Sequence, residues 1–109
     1  MVVRGDFVTI AMQGDFGKPR PALVIQADHF DENATLTVLP VTSSLVAAPL
    51  LRITVAPSAE NGLQKPSQVM VDKVVTVKRD KVGQAFGCLD ADTLVEVERC
   101  LAVFLGIAK

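Results

Sequence analysis

The chain predicts an α+β fold dominated by β structure, with about six short strands curled into a small barrel and one helix at the C-terminus. Three observations carry this. Apolar and polar residues alternate with period two in several short runs, most clearly Thr35 to Leu39 and Leu51 to Val55, and turn-forming residues separate the runs. The period changes once, after Cys88, to the three-and-four spacing of a helix. The length, 109 residues with half of them hydrophobic, suits a single domain over 1–109. Its core is drawn from Val, Leu, Ile and Ala, because the chain has five Phe and no Trp or Tyr.

The elements follow in order. Gly5-Asp6 opens a β-prone run from Phe7 to Met12, and Gln13-Gly14-Asp15-Phe16-Gly17 is a short loop with two glycines. Pro19 and Pro21 bracket Arg20, and each proline drives the residue before it toward an extended backbone. Ala22-Leu23-Val24-Ile25 is continuously apolar, which suits a strand covered on both faces. Asp28 to Ala34 is a polar loop. The strand starting at Thr35 runs through Pro40 to Thr42-Ser43-Ser44, and the proline points to a sheet edge or strand end. Leu51 to Val55 is the next strand, and Pro57 to Pro66 a long loop turning at Asn61-Gly62. Gln68 to Val77 is a strand region bent at Asp72-Lys73, and Val82 to Cys88 a last strand broken by glycines. Leu94, Val97, Leu101, Phe104 and Leu105 make the inner face of the helix, with Glu96, Glu98 and Arg99 outside. Asp90 or Asp92 caps its start and Gly106 ends it. Short curled strands closed by one terminal helix suggest a small SH3-like barrel.

Several function classes are excluded by what the chain lacks. It has no nucleophile elbow, no phosphate-binding glycine loop and no dinucleotide turn. No His or Cys spacing suits a metal, and no cofactor is expected. The single histidine, His29, falls in a solvated loop. Cys88 and Cys100 read as buried thiols of a reducing compartment. Charges at Arg4 and Asp6 interrupt the N-terminus where a signal peptide would be apolar, and no apolar stretch is long enough to span a membrane. A soluble, cytoplasmic protein is expected. The net charge of −1 draws no polyanion by itself, so a polyanion-binding face must come from local clustering of the 11 Lys and Arg.

Three places offer chemistry. Lys18-Pro19-Arg20-Pro21 mounts a guanidinium on a stiff backbone; it reads either as a surface arginine or as a phosphate-binding fork. Thr42-Ser43-Ser44 places hydroxyls at a strand end, for a turn or for phosphate oxygens. Asp72-Lys73 is a charged pair at a bend, facing solvent as a bulge or aimed into a cleft. Lys78-Arg79-Asp80-Lys81 is a solvated turn.

In this order the segments resemble the MazF/PemK family of toxins from type II toxin–antitoxin systems. The matching pieces are Arg4-Gly5-Asp6-Phe7-Val8, Pro19-Arg20-Pro21-Ala22-Leu23-Val24-Ile25-Gln26 and Leu39-Pro40-Val41-Thr42-Ser43. Pro66-Ser67-Gln68-Val69-Met70-Val71-Asp72-Lys73 and Gly87-Cys88-Leu89-Asp90 complete them. The resemblance implies a MazF/CcdB-type barrel, usually a homodimer, that cleaves single-stranded RNA at short motifs without a metal. It also implies a MazE-like antitoxin whose tail lies across the groove. Arg20, Thr42 and Asp72 match catalytic positions, and Lys18, Ser43, Ser44 and Lys73 are the expected RNA-binding neighbours. The alternative is a CcdB-like toxin that binds DNA gyrase and cleaves nothing, acting through the tail Phe104 to Lys109. The chain departs from the family pattern in its short loop Gln13 to Lys18, in Met70 where some members carry arginine, and in Lys73 where others carry Gln.

Overall fold

The structure, a computed structural model, describes residues 2–11 and 18–109. Among them lie seven strands rather than about six: β1 (Asp6–Ala11), β2 (Pro19–Val24), β3 (Thr35–Thr42), β4 (Arg52–Val55), β5 (Ser67–Met70), β6 (Val75–Lys78) and β7 (Val82–Cys88). The helix α1 spans Ala91–Phe104. The loop expected at Gln13 to Gly17, together with Met12, lies outside the described residues. Every pairing is antiparallel, in the order β4-β5-β3-β2-β1-β7, with β6 also on β3. No pairing joins β4 to β7 among the described residues, so the expected barrel is a curled sheet left open.

The extra strand arises at the expected bend. Val71–Lys73 forms a 3-10 turn that divides the Gln68 to Val77 region into β5 and β6. Both halves pair with β3. Three steps along β3, from Val41 to Val38, correspond to six steps along its partner, from Val69 to Val75, and the turn absorbs the difference. Leu39 and Pro40 face this interruption and have no register partner on that side. Pro40 therefore sits inside a strand that is paired on both sides, and not at a sheet edge, because the ladder is already broken beside it.

The strands separate two cores. Phe7, Leu23, Leu39, Val41, Ile53, Val69, Val71 and Val97 belong to the larger cluster, which α1 covers with Leu94, Cys100 and Leu101. Val8, Ile10, Ala22, Val24, Leu36 and Val38 form the smaller one, on the opposite face. Phe7 and Val8 lie in different clusters because successive strand residues point to opposite faces. β7 carries two register shifts against β1, one of which leaves Phe86 as an extra residue between Gly87 and Ala85. Such bulges bend a strand and tighten sheet curl.

Of the two candidate caps for α1 it is Asp90 that acts. Its carboxylate accepts from the Thr93 N–H and from the Thr93 hydroxyl, each at 2.9 Å. These bonds hold its pKa below the ordinary carboxylate value. At the other end Gly106 has φ of +76°, the Gly106 N–H donates to Val103 O, and the Ile107 N–H donates to Ala102 O. That is a Schellman stop, which needs the left-handed backbone that glycine takes readily. Arg4 reaches across to Glu98 and ties the start of β1 to the helix. Phe104 and Leu105, expected on the inner face, are half-exposed, since the helix runs on past the cluster it covers. Both thiols are free, but Cys88 is exposed at the end of β7, the terminal strand of the pairing order, so the expected burial holds only in part for Cys100.

Candidate functional site

The β2–β3 register pairs Ala22 with Pro40, and carrying it two residues further sets Arg20 opposite Thr42. Thr42 pairs with Gln68 on β5, and Gln68 with Thr54 on β4. Residues opposed in this way share a face. A polar row, Arg20, Thr42, Gln68 and Thr54, thus crosses four neighbouring strands.

Arg20 and Thr42 line two adjoining clefts, each of about 620 Å³. One is walled by Thr9, Ser43, Ser44, Lys65, Ser67 and Phe86 among others. The other is walled by Pro40, Met70, Asp72, Lys73, Val74 and Val75. The two proposals drawn from the sequence, at Arg20 and at Asp72-Lys73, therefore meet in one cleft. Ser43 and Ser44 join Arg20 in the other. Lys18 is exposed and lines neither.

The hydroxyl of Thr42 accepts from the Ser44 N–H at 3.0 Å. A threonine hydroxyl can donate one bond as well, and this acceptor contact leaves its proton to donate. Asp72 Oδ2 lies 3.5 Å from Lys73 Nζ, while Asp72 Oδ1 is buried without a hydrogen bond. Around the row, two buried amides fix the loops. Gln68, only 5% exposed, accepts from the Val46 N–H at 3.0 Å, donates to Val46 O at 2.9 Å and donates to the Thr54 hydroxyl at 3.1 Å. It pins the segment that carries Ser43 and Ser44. Asn61 accepts from the N–H groups of Ser58 and Leu63 and donates to Ala56 O. It shapes the loop that presents Leu63, Gln64 and Lys65 to the cleft.

Sequence reading missed Lys65, Gln68 and Phe86. Gln68 and Phe86 both looked like ordinary strand residues. Asn61-Gly62 was the available signal for the loop: it marked a turn, though not the wall that the turn builds. Arg79, read in a solvated turn, donates to Phe30 O and Asn33 O and lies away from both clefts. His29 is exposed.

Residues 3–105 match the family of PemK-like, MazF-like toxins of type II toxin–antitoxin systems. A Mycolicibacterium smegmatis protein named probable endoribonuclease MazF is 48% identical over 106 residues, covering 96% of this chain and 97% of its own. A solved mycobacterial endoribonuclease in complex with its cognate antitoxin has a TM-score of 0.83 over 100% of this chain and 99% of that one; at 19% identity the likeness is one of fold. A MazE–MazF structure from Deinococcus radiodurans is 26% identical with a TM-score of 0.79, covering 98% and 97%. The gyrase-binding alternative gains no support from these relatives.

Proposed function

The chain belongs to the PemK-like, MazF-like toxins of type II toxin–antitoxin systems, and from that membership we propose that it is an endoribonuclease acting on single-stranded RNA at the Arg20–Thr42 row. The observation that carries the assignment is the placement of Arg20 and Thr42 in both clefts, so that a strand crossing from one cleft to the other passes its phosphate over them.

Cleavage by an internal nucleophile needs the 2′-hydroxyl deprotonated, the charge on the phosphorane stabilised and the leaving 5′-oxygen protonated, here by water, as its bond to phosphorus breaks and a 2′,3′-cyclic phosphate is left. The Arg20 guanidinium supplies fixed positive charge with a planar fork suited to phosphate oxygens. The Thr42 hydroxyl, with Ser44 N–H at its acceptor side, donates to the same phosphate. Asp72 is the group for the 2′-hydroxyl proton, on the wall of the second cleft. Ser43 and Ser44 on one side and Lys73 on the other hold the flanking backbone, with Lys18 at the approach. No step draws on a metal.

The partners follow the same reading. A MazE-like antitoxin tail occupies the RNA clefts in the inhibited state, in the cytoplasm. A homodimer covers apolar residues left exposed on and after α1, among them Val95, Val103 and Ile107. Light scattering at micromolar concentration checks this: twice the chain mass is expected, and a monomer contradicts it.

The test of the chemistry is incubation of the purified protein with a long single-stranded RNA in EDTA, with mapping of the new ends. Cleavage at a recurring short motif, abolished by one 2′-deoxy substitution on the 5′ side of the scissile phosphate, is expected. An intact RNA, or cleavage indifferent to that substitution, overturns the proposal.

A further inference from the structure

We propose that Phe86 is a stacking platform for one nucleobase of the bound RNA, in the cleft that Arg20 and Thr42 also line. The inference rests on the nuclease reading above and adds to it a base-binding position. β7 bulges at Phe86, which leaves that residue out of the register with β1, and bulges are a means by which sheets re-aim a side chain. The ring is then held from behind. It stacks on the fully buried Phe7 ring, with centroids 6.1 Å apart and planes 20° from parallel. Beside it stands Gly62, with φ of +68°; a Cβ there would lie 2.4 Å from Phe86 O and 3.0 Å from the ring. The close approach of this loop to the bulge is therefore possible only with glycine.

What remains open faces the cleft. Phe86 is 38% exposed and lines the cleft together with Arg20, Thr42, Ser43 and Lys65. An aromatic ring backed by a second ring is rigid, so little freedom is lost when a base stacks on it. Single-stranded nucleic acid is bound by this combination of aromatic surfaces with cationic and hydroxyl groups for the backbone. Phe86 is the only aromatic residue lining either cleft among the described residues.

The composition of the chain supplies the probe. With no Trp and no Tyr, Phe86→Trp carries the sole indole of the protein. The titrant is the oligonucleotide of the motif that the wild type cleaves, made resistant by 2′-O-methylation, and binding is followed separately by anisotropy of a terminal dye. Quenching of the indole in step with binding is expected, while Phe30→Trp, on an exposed turn away from the cleft, stays unquenched. Phe86→Leu is expected to weaken binding by about 5- to 150-fold, since stacking on an aromatic contributes about 1–3 kcal/mol per base. If Phe86→Trp does not fold, Phe86→Tyr, with the sole phenol of the protein, gives the same reading. Binding seen by anisotropy with an unquenched indole and an unweakened Phe86→Leu overturns the stacking proposal and leaves the nuclease reading standing. No binding or cleavage by the wild type overturns both.

Discussion

The two faces of the sheet share the same strands but are tied down very differently. Beneath α1, Phe7, Leu39 and Val69 are fully buried, as is Val97 of the helix itself, and the helix is capped at Asp90, stopped at Gly106 and bridged from Glu98 to Arg4. On the other face the smaller cluster fades along β2 and β3 into the row Arg20, Thr42, Gln68 and Thr54, with clefts to both sides. There Asp72 Oδ1 is buried without a hydrogen-bond partner. Stability is concentrated on the first face and the proposed chemistry on the second, which makes the two separable by mutation.

The largest separation is expected from the core. Leu39→Ala, in the centre of β3 on the helix side, should cost about 2–5 kcal/mol by lost burial and a residual cavity. Denaturant unfolding measures this, and cleavage per folded molecule should be unchanged. Thr42→Val on the opposite face should invert the pattern. It is expected to lower the cleavage rate about 10- to 100-fold, the worth of a hydrogen bond to a charged group, with an unfolding midpoint close to wild type. Gln68→Leu falls between the two, since it strands Val46 N–H and C=O. A loss of about 1–3 kcal/mol is expected, with KM for RNA rising more than kcat falls, because the Ser43–Ser44 segment loses its anchor.

The smallest effect is expected at the helix cap. Asp90 has a lowered pKa in the folded state, so its contribution is present above the unfolded-state value and is lost as pH falls through the folded-state value. Asp90→Asn should lower Tm by a few degrees, at most about 5 °C at neutral pH, with a difference from wild type that shrinks below about pH 4. A difference that grows on acidification contradicts the capping account.

Much of the helix-covered face was legible, because its signals are local. Period two marked β3 and β4, the change of period marked α1, Asp90 or Asp92 marked its start and Gly106 its end. Phe104 and Leu105 fit that period but outrun the core, which periodicity cannot register. On the other face, Arg20, Thr42 and Asp72 were found as residue types in an order, while their meeting depends on register between distant strands. The bend at Asp72-Lys73 was legible. That it yields two strands depends on both halves pairing with β3. Phe86 and Gln68 escaped for the same reason: a bulge exists only relative to β1, and the amide acts only through Val46, which lies 22 residues away.

The most direct test of a separable catalytic row is the Arg20→Ala variant, assayed for single-turnover cleavage of the mapped RNA in EDTA beside its thermal unfolding. A rate lower by on the order of a hundred- to a thousandfold is expected, with Tm displaced by no more than about 3 °C. A rate within a few-fold of wild type, or a loss of activity that only follows loss of the folded state, contradicts the account.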